Sequence, residues 1–141
     1  MVDSASGYVL DSFALLAYLA GEVGMAKVRT ALEGAAVGRH RVYLSLINLG
    51  EVLYVVERAR GRTEALLSLA AVDQLPLHVL PVTRATALAA AHVKARFPLA
   101  YADAFAVIAA RDHSATIMTG DPEFGPVVEA GLITVDWLSR R

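Results

Sequence analysis

Short, apolar, β-prone segments alternate with longer helical segments along the chain, and this alternation constrains the fold more than any other feature. Strands are predicted over residues 8–11, 41–44, 78–82, 116–119 and 132–135. Strands separated by helices favour a parallel sheet that is covered on both faces. The sequence therefore predicts a three-layer α/β/α fold around a central, mainly parallel sheet of four to five strands.

Capping residues and glycines predict where the helices begin and end. Ser12 is the expected N-cap of the first helix, and Ser45 that of a helix which runs to Arg60 and is ended by Gly61. The other helices are predicted over residues 22–33, 62–73, 83–96, 101–112 and 126–130. No linker, repeat or low-complexity segment interrupts the pattern, so residues 1–141 are expected to form a single domain.

The composition excludes several classes of chemistry. The chain has no cysteine, which rules out disulfides, zinc–thiolate sites and thiol catalysis and fits a cytoplasmic location. Hydrophobic residues make up 56% of the chain, yet the longest stretches without Asp, Glu, Lys or Arg are ten residues, too short to span a bilayer. The first residues lack the pattern of a secretory signal. A protein without membrane segments is expected, with surplus apolar residues available for a partner interface.

Two carboxylates lie where strands are predicted to end. Asp11 closes the first strand, and Asp121 comes two residues after the fourth. In open parallel sheets, sites form beyond the carboxyl ends of the strands. Both acids are therefore expected at the functional edge of the sheet.

Two further acids stand in apolar helical surroundings. Glu51 follows Asn48 by three residues on one helix face, and Asp103 lies in a helix with almost no polar face. Two unit charges about 4 Å apart repel by roughly 4 kcal/mol at an effective dielectric of 20, so converging carboxylates need raised pKa values or a bound cation. Neither Lys27 nor Lys94 follows a strand. Oxygen ligands of this kind suit Mg²⁺ or Mn²⁺.

Each acid also has a structural interpretation. Asp121 lies in a Gly-Asp-Pro turn, and this interpretation is favoured for it. Asp11 could serve as a capping residue, with the two interpretations about equal. Glu51 could pair with Arg58, and Asp103 could favour the positive N-terminus of its helix, but surface acids rarely have so many apolar neighbours.

The ordered set of motifs resembles the PIN-domain ribonucleases. The motifs are Asp11-Ser12 after the first strand, Ser45 with Glu51 six residues later, Asp103-Ala104 with Ala109-Ala110, and Thr119-x-Asp121-x-x-Phe124. The resemblance extends over residues 8–135, and the length is similar to that of the toxins of VapBC-type toxin–antitoxin pairs.

This resemblance implies Mg²⁺- or Mn²⁺-dependent cleavage of RNA by a toxin that forms a homodimer and binds a cognate antitoxin. Asp11 and Asp103 are the expected direct metal ligands, with Glu51 and Asp121 as direct or water-mediated ligands. Three polar residues are expected to orient the ligands or water, namely Ser12, Asn48 and Thr119, although Ser12 could only cap a helix and Thr119 could only end a strand. Glu123 is a further, exposed candidate ligand, and the four histidines are expected to be structural.

Candidate partner surfaces are less specific. Eleven of the thirteen cations are arginines, and the possible RNA contacts are Arg39, Arg41, Arg58, Arg60 and Arg62. Such clusters are more often solvated faces. A groove beside the apolar segments 15–19 and 52–56 would suit an antitoxin segment.

Other functions remain open. A PIN-like fold without catalysis could serve as an RNA- or protein-binding module. A receiver-type phosphoacceptor domain also collects acids at strand ends, but it needs a lysine after the last strand, where this chain has Val135-Asp136-Trp137. A haloacid-dehalogenase-type phosphatase needs Asp-x-Asp where this chain has Asp11-Ser12-Phe13.

Overall fold

The computed structural model describes residues 7–139 and contains a five-stranded sheet. The strands are β1 (Tyr8–Leu10), β2 (Val42–Ser45), β3 (His78–Leu80), β4 (Thr116–Thr119) and β5 (Val135–Trp137). Their order is β3-β2-β1-β4-β5, and every neighbouring pair is parallel. The predicted α/β architecture is confirmed. Residues 1–6, which carry the expectation about a secretory signal, lie outside the described part.

Seven helices connect and follow the strands of the described chain. They are α1 (Ser12–Ala20), α2 (Met25–Ala36), α3 (Leu46–Arg60), α4 (Arg62–Asp73), α5 (Arg84–Arg96), α6 (Tyr101–His113) and α7 (Gly125–Glu129), the last preceded by a 3₁₀ turn over Pro122–Phe124. The bounds of α4 and β4 agree with the sequence prediction. Ser45 caps α3 by accepting from the Ile47 N–H, and Gly61 ends that helix, as predicted. Among residues 7–139, no helix has both the length and the apolar character needed to cross a bilayer.

The alternation of side chains along each strand divides the interior into two cores. One face carries Val9, Tyr43 and Ile117, which are register partners and pack against α5, α6 and α7. The other face carries Leu10, Leu44 and Met118, which pack against α1, α2 and α3. Because successive strand residues point to opposite faces, each short core strand can serve both layers.

Several predicted helix boundaries are wrong. Ser12 is not the N-cap of α1; Asp11 is, because its side chain accepts from the Ala14 N–H, and this confirms the capping interpretation of Asp11. The second helix begins only at Met25, since the Glu22 N–H bonds back to α1, and it continues past Gly34 to Ala36. Gly34 lies inside the helix. A Cβ at this position would collide with the ring of His40, so the glycine is required by packing and does not mark a helix end.

Strand boundaries also differ from the prediction. The last strand is Val135–Trp137 rather than residues 132–135, because the Leu132 N–H bonds to Val127 O and still belongs to the turn after α7. Both β1 and β3 end earlier than predicted, β3 at Leu80 before Pro81. Proline lacks the N–H that a ladder requires, which accounts for the end of β3. β2 is shifted by one residue and includes Ser45.

Candidate metal centre

Asp11 is held in one orientation at the carboxyl end of β1. The residue is 1% exposed, and its Oδ1 accepts from the Ala14 N–H at 2.9 Å. Its Oδ2 accepts from the Thr119 hydroxyl at 2.5 Å, which ties the end of β1 to the end of β4. Burial raises the pKa of Asp11 to about 7, against the lowering effect of these two hydrogen bonds, while the charges of Asp121 and Glu51 raise it further.

Asp103 lies in the first turn of α6 and points into the protein. The residue is 6% exposed, and within residues 7–139 its carboxylate receives no hydrogen bond. Burial raises the pKa of Asp103 to about 8, and the nearby charges of Asp11, Asp121, Glu51 and Glu123 add to the effect. An acid that is buried among acids and has no donor is compensated either by a proton or by a ligand cation.

The loop after β4 brings two more carboxylates to Asp103. Oxygen atoms of Asp103, Asp121 and Glu123 all lie within 4.8 Å of one another. The loop is fixed by the Asp121 N–H, which donates to Thr119 Oγ1 at 3.0 Å, and by the Glu123 N–H, which donates to Asp121 Oδ1 at 2.9 Å. Glu123 Oε1 accepts from the Ala100 N–H at 3.0 Å and so joins this loop to the start of α6.

Ser12 of α1 and Asn48 of α3 form a buried polar group that supports Glu51. The Ser12 hydroxyl donates to Glu51 Oε1, and Asn48 Nδ2 donates to Ser12 Oγ and to Ala102 O, both at 3.2 Å. Asn48 is fully buried, and its Oδ1 has no partner among the described residues. Because Nδ2 already donates to two acceptors, exchanging the nitrogen and oxygen of the Asn48 amide would place its oxygen against the carbonyl oxygen of Ala102.

The pairing of Glu51 with Arg58, the structural alternative for this acid, is absent. The Arg58 guanidinium lies 5.2 Å from the centre of the Tyr54 ring instead. Within the described residues, the single ion pair joins Lys27 to Asp136, away from these acids. No side-chain cation of residues 7–139 therefore compensates the buried carboxylates.

The donor set fits a hard divalent cation. Carboxylate oxygens, with no thiolate in the chain, are the ligands preferred by Mg²⁺ and Mn²⁺. The unpartnered Asn48 Oδ1 lies in the hydrogen-bonded group that holds Glu51 and can accept a further hydrogen bond. Protons or a cation must offset the mutual repulsion of the acids. Each proton neutralises one carboxylate, whereas one Mg²⁺ or Mn²⁺ ion would offset the charge of several ionised carboxylates together.

The predicted site residues thus fall into two groups. The four acids and the three supporting residues are brought to the carboxyl edge of the sheet: Asp11, Glu51, Asp103, Asp121, Ser12, Asn48 and Thr119. The arginines are not. Arg39 and Arg41 precede β2 at the opposite edge, and the other three lie where α3 meets α4. The functional roles of both groups stay predictions.

Glu123 is the residue whose place the sequence indicated least clearly. It is exposed, as expected, yet its carboxylate lies with those of Asp103 and Asp121. Its hydrogen bond to Ala100 spans 23 residues. The only sequence signal is its position two residues after Asp121 in a short turn, which brings two side chains near each other without showing which element they face.

Comparisons with known proteins agree on the fold. A family model described as PIN domain matches residues 8–129. Among solved structures, VapBC2 from Rickettsia felis bound to a promoter DNA fragment aligns with a TM-score of 0.72 and 14% identity, covering 94% of this chain and 98% of that one. DNA-bound VapBC from Salmonella typhimurium gives 0.70 and 16%, covering 93% and 97%.

A third structure is that of a toxin described as cleaving the sarcin–ricin loop, VapC20 from Mycobacterium tuberculosis. It aligns with a TM-score of 0.66 and 21% identity, covering 86% of this chain and 95% of that one. The curated proteins contained no match. At these identities the structural likeness establishes the fold.

Proposed function

Because this chain belongs to the PIN-domain family, we propose that it is a Mg²⁺- or Mn²⁺-dependent endoribonuclease and the toxin of a type II toxin–antitoxin pair. PIN and VapC proteins are nucleases, and one solved neighbour is described as a toxin that cleaves the sarcin–ricin loop. The observation that carries the proposal is the pair of buried carboxylates, Asp11 and Asp103, whose pKa values are raised to about 7 and about 8 with no cationic side chain of residues 7–139 beside them. Such perturbed acids at a strand edge are typical of a functional site.

Asp11 and Asp103 would hold the ion, with Asp121, Glu51 and Glu123 completing the acidic surface. A divalent ion bound there supplies charge neutralisation at the scissile phosphate and lowers the pKa of a water molecule for attack. The acids therefore have to stay deprotonated when the ion is bound, and their shared burial favours the protonated form when it is not.

Neighbouring hydroxyls orient the carboxylates. Thr119 donates to Asp11 Oδ2 and leaves the other oxygen to the helix cap, so the rotation of this carboxylate is fixed. Ser12 donates in the same way to Glu51. Fixed ligands lose little freedom when a cation and a phosphate arrive, which favours binding.

The antitoxin would bind an apolar groove between α1 and the α3–α4 pair. The groove has a volume of about 330 Å³ and is lined by Leu16, Leu19, Val55 and Val56, among others. Within the two segments predicted for this role, Leu15 and Val52 are fully buried and belong to the core. The solved VapBC neighbours support an antitoxin partner. A homodimer is proposed from the exposed apolar residues Leu66, Leu67 and Leu88.

The proposal is tested by RNA cleavage with purified, antitoxin-free protein. Wild type is expected to cleave a structured RNA with Mg²⁺ or Mn²⁺ and to stop when EDTA is added. Asp11→Asn and Asp103→Asn are expected to lose at least about 100-fold of the rate, because they remove ligand charge. Asp112→Asn, an exposed acid on the same helix as Asp103, is the matched control and is expected to cleave normally.

Two results would contradict the proposal. Cleavage that continues without a divalent ion, or in both ligand variants, would exclude the metal mechanism. A folded protein that binds RNA and cleaves none of a panel of structured RNAs would instead support the non-catalytic binding module.

A further inference from the structure

A second cleft opens at the amino-end edge of the sheet, opposite the carboxylates. It has a volume of about 780 Å³ and lies between the end of α2 and the segment that joins α4 to β3. Its charged and ring-bearing lining residues are Arg39, His40, Arg41, Tyr43 and His78. Since Arg41 precedes β2 and Ser45 ends it, the cleft and the acidic site lie at opposite ends of the same strand.

The lining carries positive charge that no described residue offsets. Among residues 7–139, no aspartate or glutamate lines the cleft. Both arginines are exposed, and neither guanidinium makes a hydrogen bond or ion pair with any residue between 7 and 139. Arginines that serve a structural purpose normally bind carboxylates or backbone carbonyls, and within residues 7–139 neither of these two does so.

The backbone beneath the arginines is fixed, although their side chains are exposed. The Arg39 N–H donates to Gly34 O, and Arg41 O accepts from the Tyr8 N–H, both at 2.9 Å. His40, between them, points inward with its Nε2 at 2.7 Å from Ala31 O and its ring against Gly34. The side chains of Arg39 and Arg41 therefore extend from a loop with a fixed backbone, on either side of the inward-pointing His40.

A ring surface lies beside the charges. The rings of Tyr43 and His78 are 5.7 Å apart, and the other neighbour of Tyr43 is His113, stacked at 4.2 Å. His78 is an exposed end of this row of three rings. Tyr43 is buried, so the ring that a base could stack on in this cleft is that of His78. An exposed ring next to arginines suits single-stranded nucleic acid, because a base stacks on the ring while the arginines bind phosphates.

We infer that this cleft binds the phosphate backbone of RNA, as a second contact point outside the cleavage site. The inference rests on the proposed ribonuclease function for the identity of the polyanion. The four residues of β2 span about 13 Å at 3.3 Å each, and stacked nucleotides advance about 3.4 Å, so at least about four nucleotides separate the two sites. A long RNA can reach both sites, whereas an RNA of three nucleotides is confined to one.

The first measurement is binding without cleavage. Fluorescence anisotropy of a labelled 20-nucleotide single-stranded RNA is recorded with the full chain in EDTA at several salt concentrations. Arg39→Gln with Arg41→Gln is expected to weaken binding about tenfold at 100 mM salt. The slope of log K against log salt is expected to fall by about 1.4, because each arginine that neutralises a phosphate adds about 0.7 to it.

Two further variants test whether the weaker binding arises at the cleft and not from the change in net charge or from impaired folding. Arg29→Gln with Arg96→Gln removes the same charge from exposed helix positions outside the cleft and is expected to change affinity less than twofold. Arg39→Lys with Arg41→Lys keeps the charge and is expected to retain the salt slope. Equal weakening by the helix variant, or an unchanged slope in the glutamine variant, would overturn the inference.

Cleavage assays separate this inference from the proposed function. With Mg²⁺, the glutamine variant is expected to cleave a three-nucleotide RNA like wild type and the 20-nucleotide RNA about tenfold more slowly below saturation. If wild type cleaves neither RNA, the proposed function fails while the anisotropy data still decide the cleft. If wild type cleaves both and the glutamine variant matches it on both, the cleft inference alone fails.

Discussion

The carboxyl ends and the amino ends of the parallel strands carry side chains of opposite charge, buried at the carboxyl end and exposed at the amino end. At the carboxyl edge Asp11 and Asp103 are buried with raised pKa values, whereas at the amino edge Arg39 and Arg41 are exposed and their side chains have no partner among residues 7–139. Buried carboxylates are unfavourable unless something compensates them, so their presence indicates a function. Exposed arginines cost the fold almost nothing, so only their arrangement around a cleft is informative.

The difference also concerns rigidity. Each carboxylate at the acidic edge except that of Asp103 accepts a hydrogen bond from a named donor, so the site is preorganised for a small ion. At the basic edge the backbone is fixed and the arginine side chains are not. Such a surface suits a flexible polyanion, which binds by charge and adapts its shape.

The largest expected effect separates the two acids of the loop after β4. Asp121→Asn is expected to lower the rate of RNA cleavage about 100-fold, because it removes charge from the group of oxygens within 4.8 Å. Glu123→Gln removes the same charge, but Glu123 is exposed where Asp121 is half-buried, so solvent already screens it and the expected cost is less than about tenfold. Initial rates with Mg²⁺ measure both. Equal losses would give Glu123 the same part in binding the ion as Asp121.

The second prediction concerns pH and metal together. The pKa values of Asp11 and Asp103 are about 7 and about 8 in the folded chain, against about 3.9 in an unfolded one. Between about pH 4 and pH 8 the unfolded chain therefore releases these protons first, and the free energy of unfolding of the metal-free protein falls as the pH rises. Below about pH 4 both states are protonated and the destabilisation is absent.

Mg²⁺ is expected to reverse this fall. At 100 times its dissociation constant it would add about 2.7 kcal/mol at pH 8, or roughly 5–10 °C in Tm, and far less at pH 5, where protons occupy the acids. Thermal unfolding at both pH values measures the difference. Asp103→Asn is the control, expected to flatten the pH dependence and remove most of the gain. An equal rise in Tm at pH 5 and pH 8 would show that the ion binds elsewhere.

The third prediction compares the two ends of β4. Thr119→Val removes the donor to Asp11, so the pKa of Asp11 is expected to rise further, the free energy of unfolding to fall by about 1–2 kcal/mol, and Mg²⁺ affinity at pH 7 to fall about tenfold. Thr116→Val is the matched control. Its hydroxyl pairs with that of Thr134 at the exposed amino end, and a change below about 0.5 kcal/mol is expected.

Denaturant unfolding and a Mg²⁺ titration by calorimetry check this pair. Similar destabilisation by both threonine variants would mean that the hydroxyl of Thr119 has no special relation to Asp11.

The smallest expected effect tests exposed charge. Lys27 pairs with Asp136 at 2.7 Å, with the lysine side chain 56% exposed. Lys27→Met is expected to change the free energy of unfolding by no more than about 0.5 kcal/mol, because solvent screens the pair and both side chains lose rotational freedom. A loss above about 1 kcal/mol, measured by urea denaturation, would mean that this exposed ion pair contributes as much to the free energy of unfolding as a buried polar contact does.

The sequence was most informative where a local pattern coincides with the tertiary arrangement. The alternation of strands and helices predicted the parallel sheet, and the parallel sheet predicted that Asp11 and Asp121 would come to one edge. Ser45 and Gly61 marked the ends of α3 because capping depends on neighbouring residues.

Errors arose where distant contacts decide the outcome. Gly34 looks like a helix end, but the ring of His40 packs where its side chain would be, and the helix continues. Ser12 looks like a cap, but its hydroxyl binds Glu51, 39 residues away, and Asp11 caps instead. Nothing in the sequence distinguishes Arg39 and Arg41 from the other arginines. The direction of β2 places them at its amino end, whereas the acids lie at the carboxyl ends of the strands.

The hydrogen bond between Asp11 and Thr119 joins residues that are 108 positions apart, and it has a consequence for synthesis of the protein. At about 5–20 residues per second, a ribosome needs roughly 5–20 s after making Asp11 before it reaches Thr119. During this interval β1 also lacks β4, one of its two neighbours in the sheet. A nascent chain therefore holds no assembled carboxylate cluster, and any hydrolytic capacity begins only after nearly all of residues 7–121 have left the ribosome.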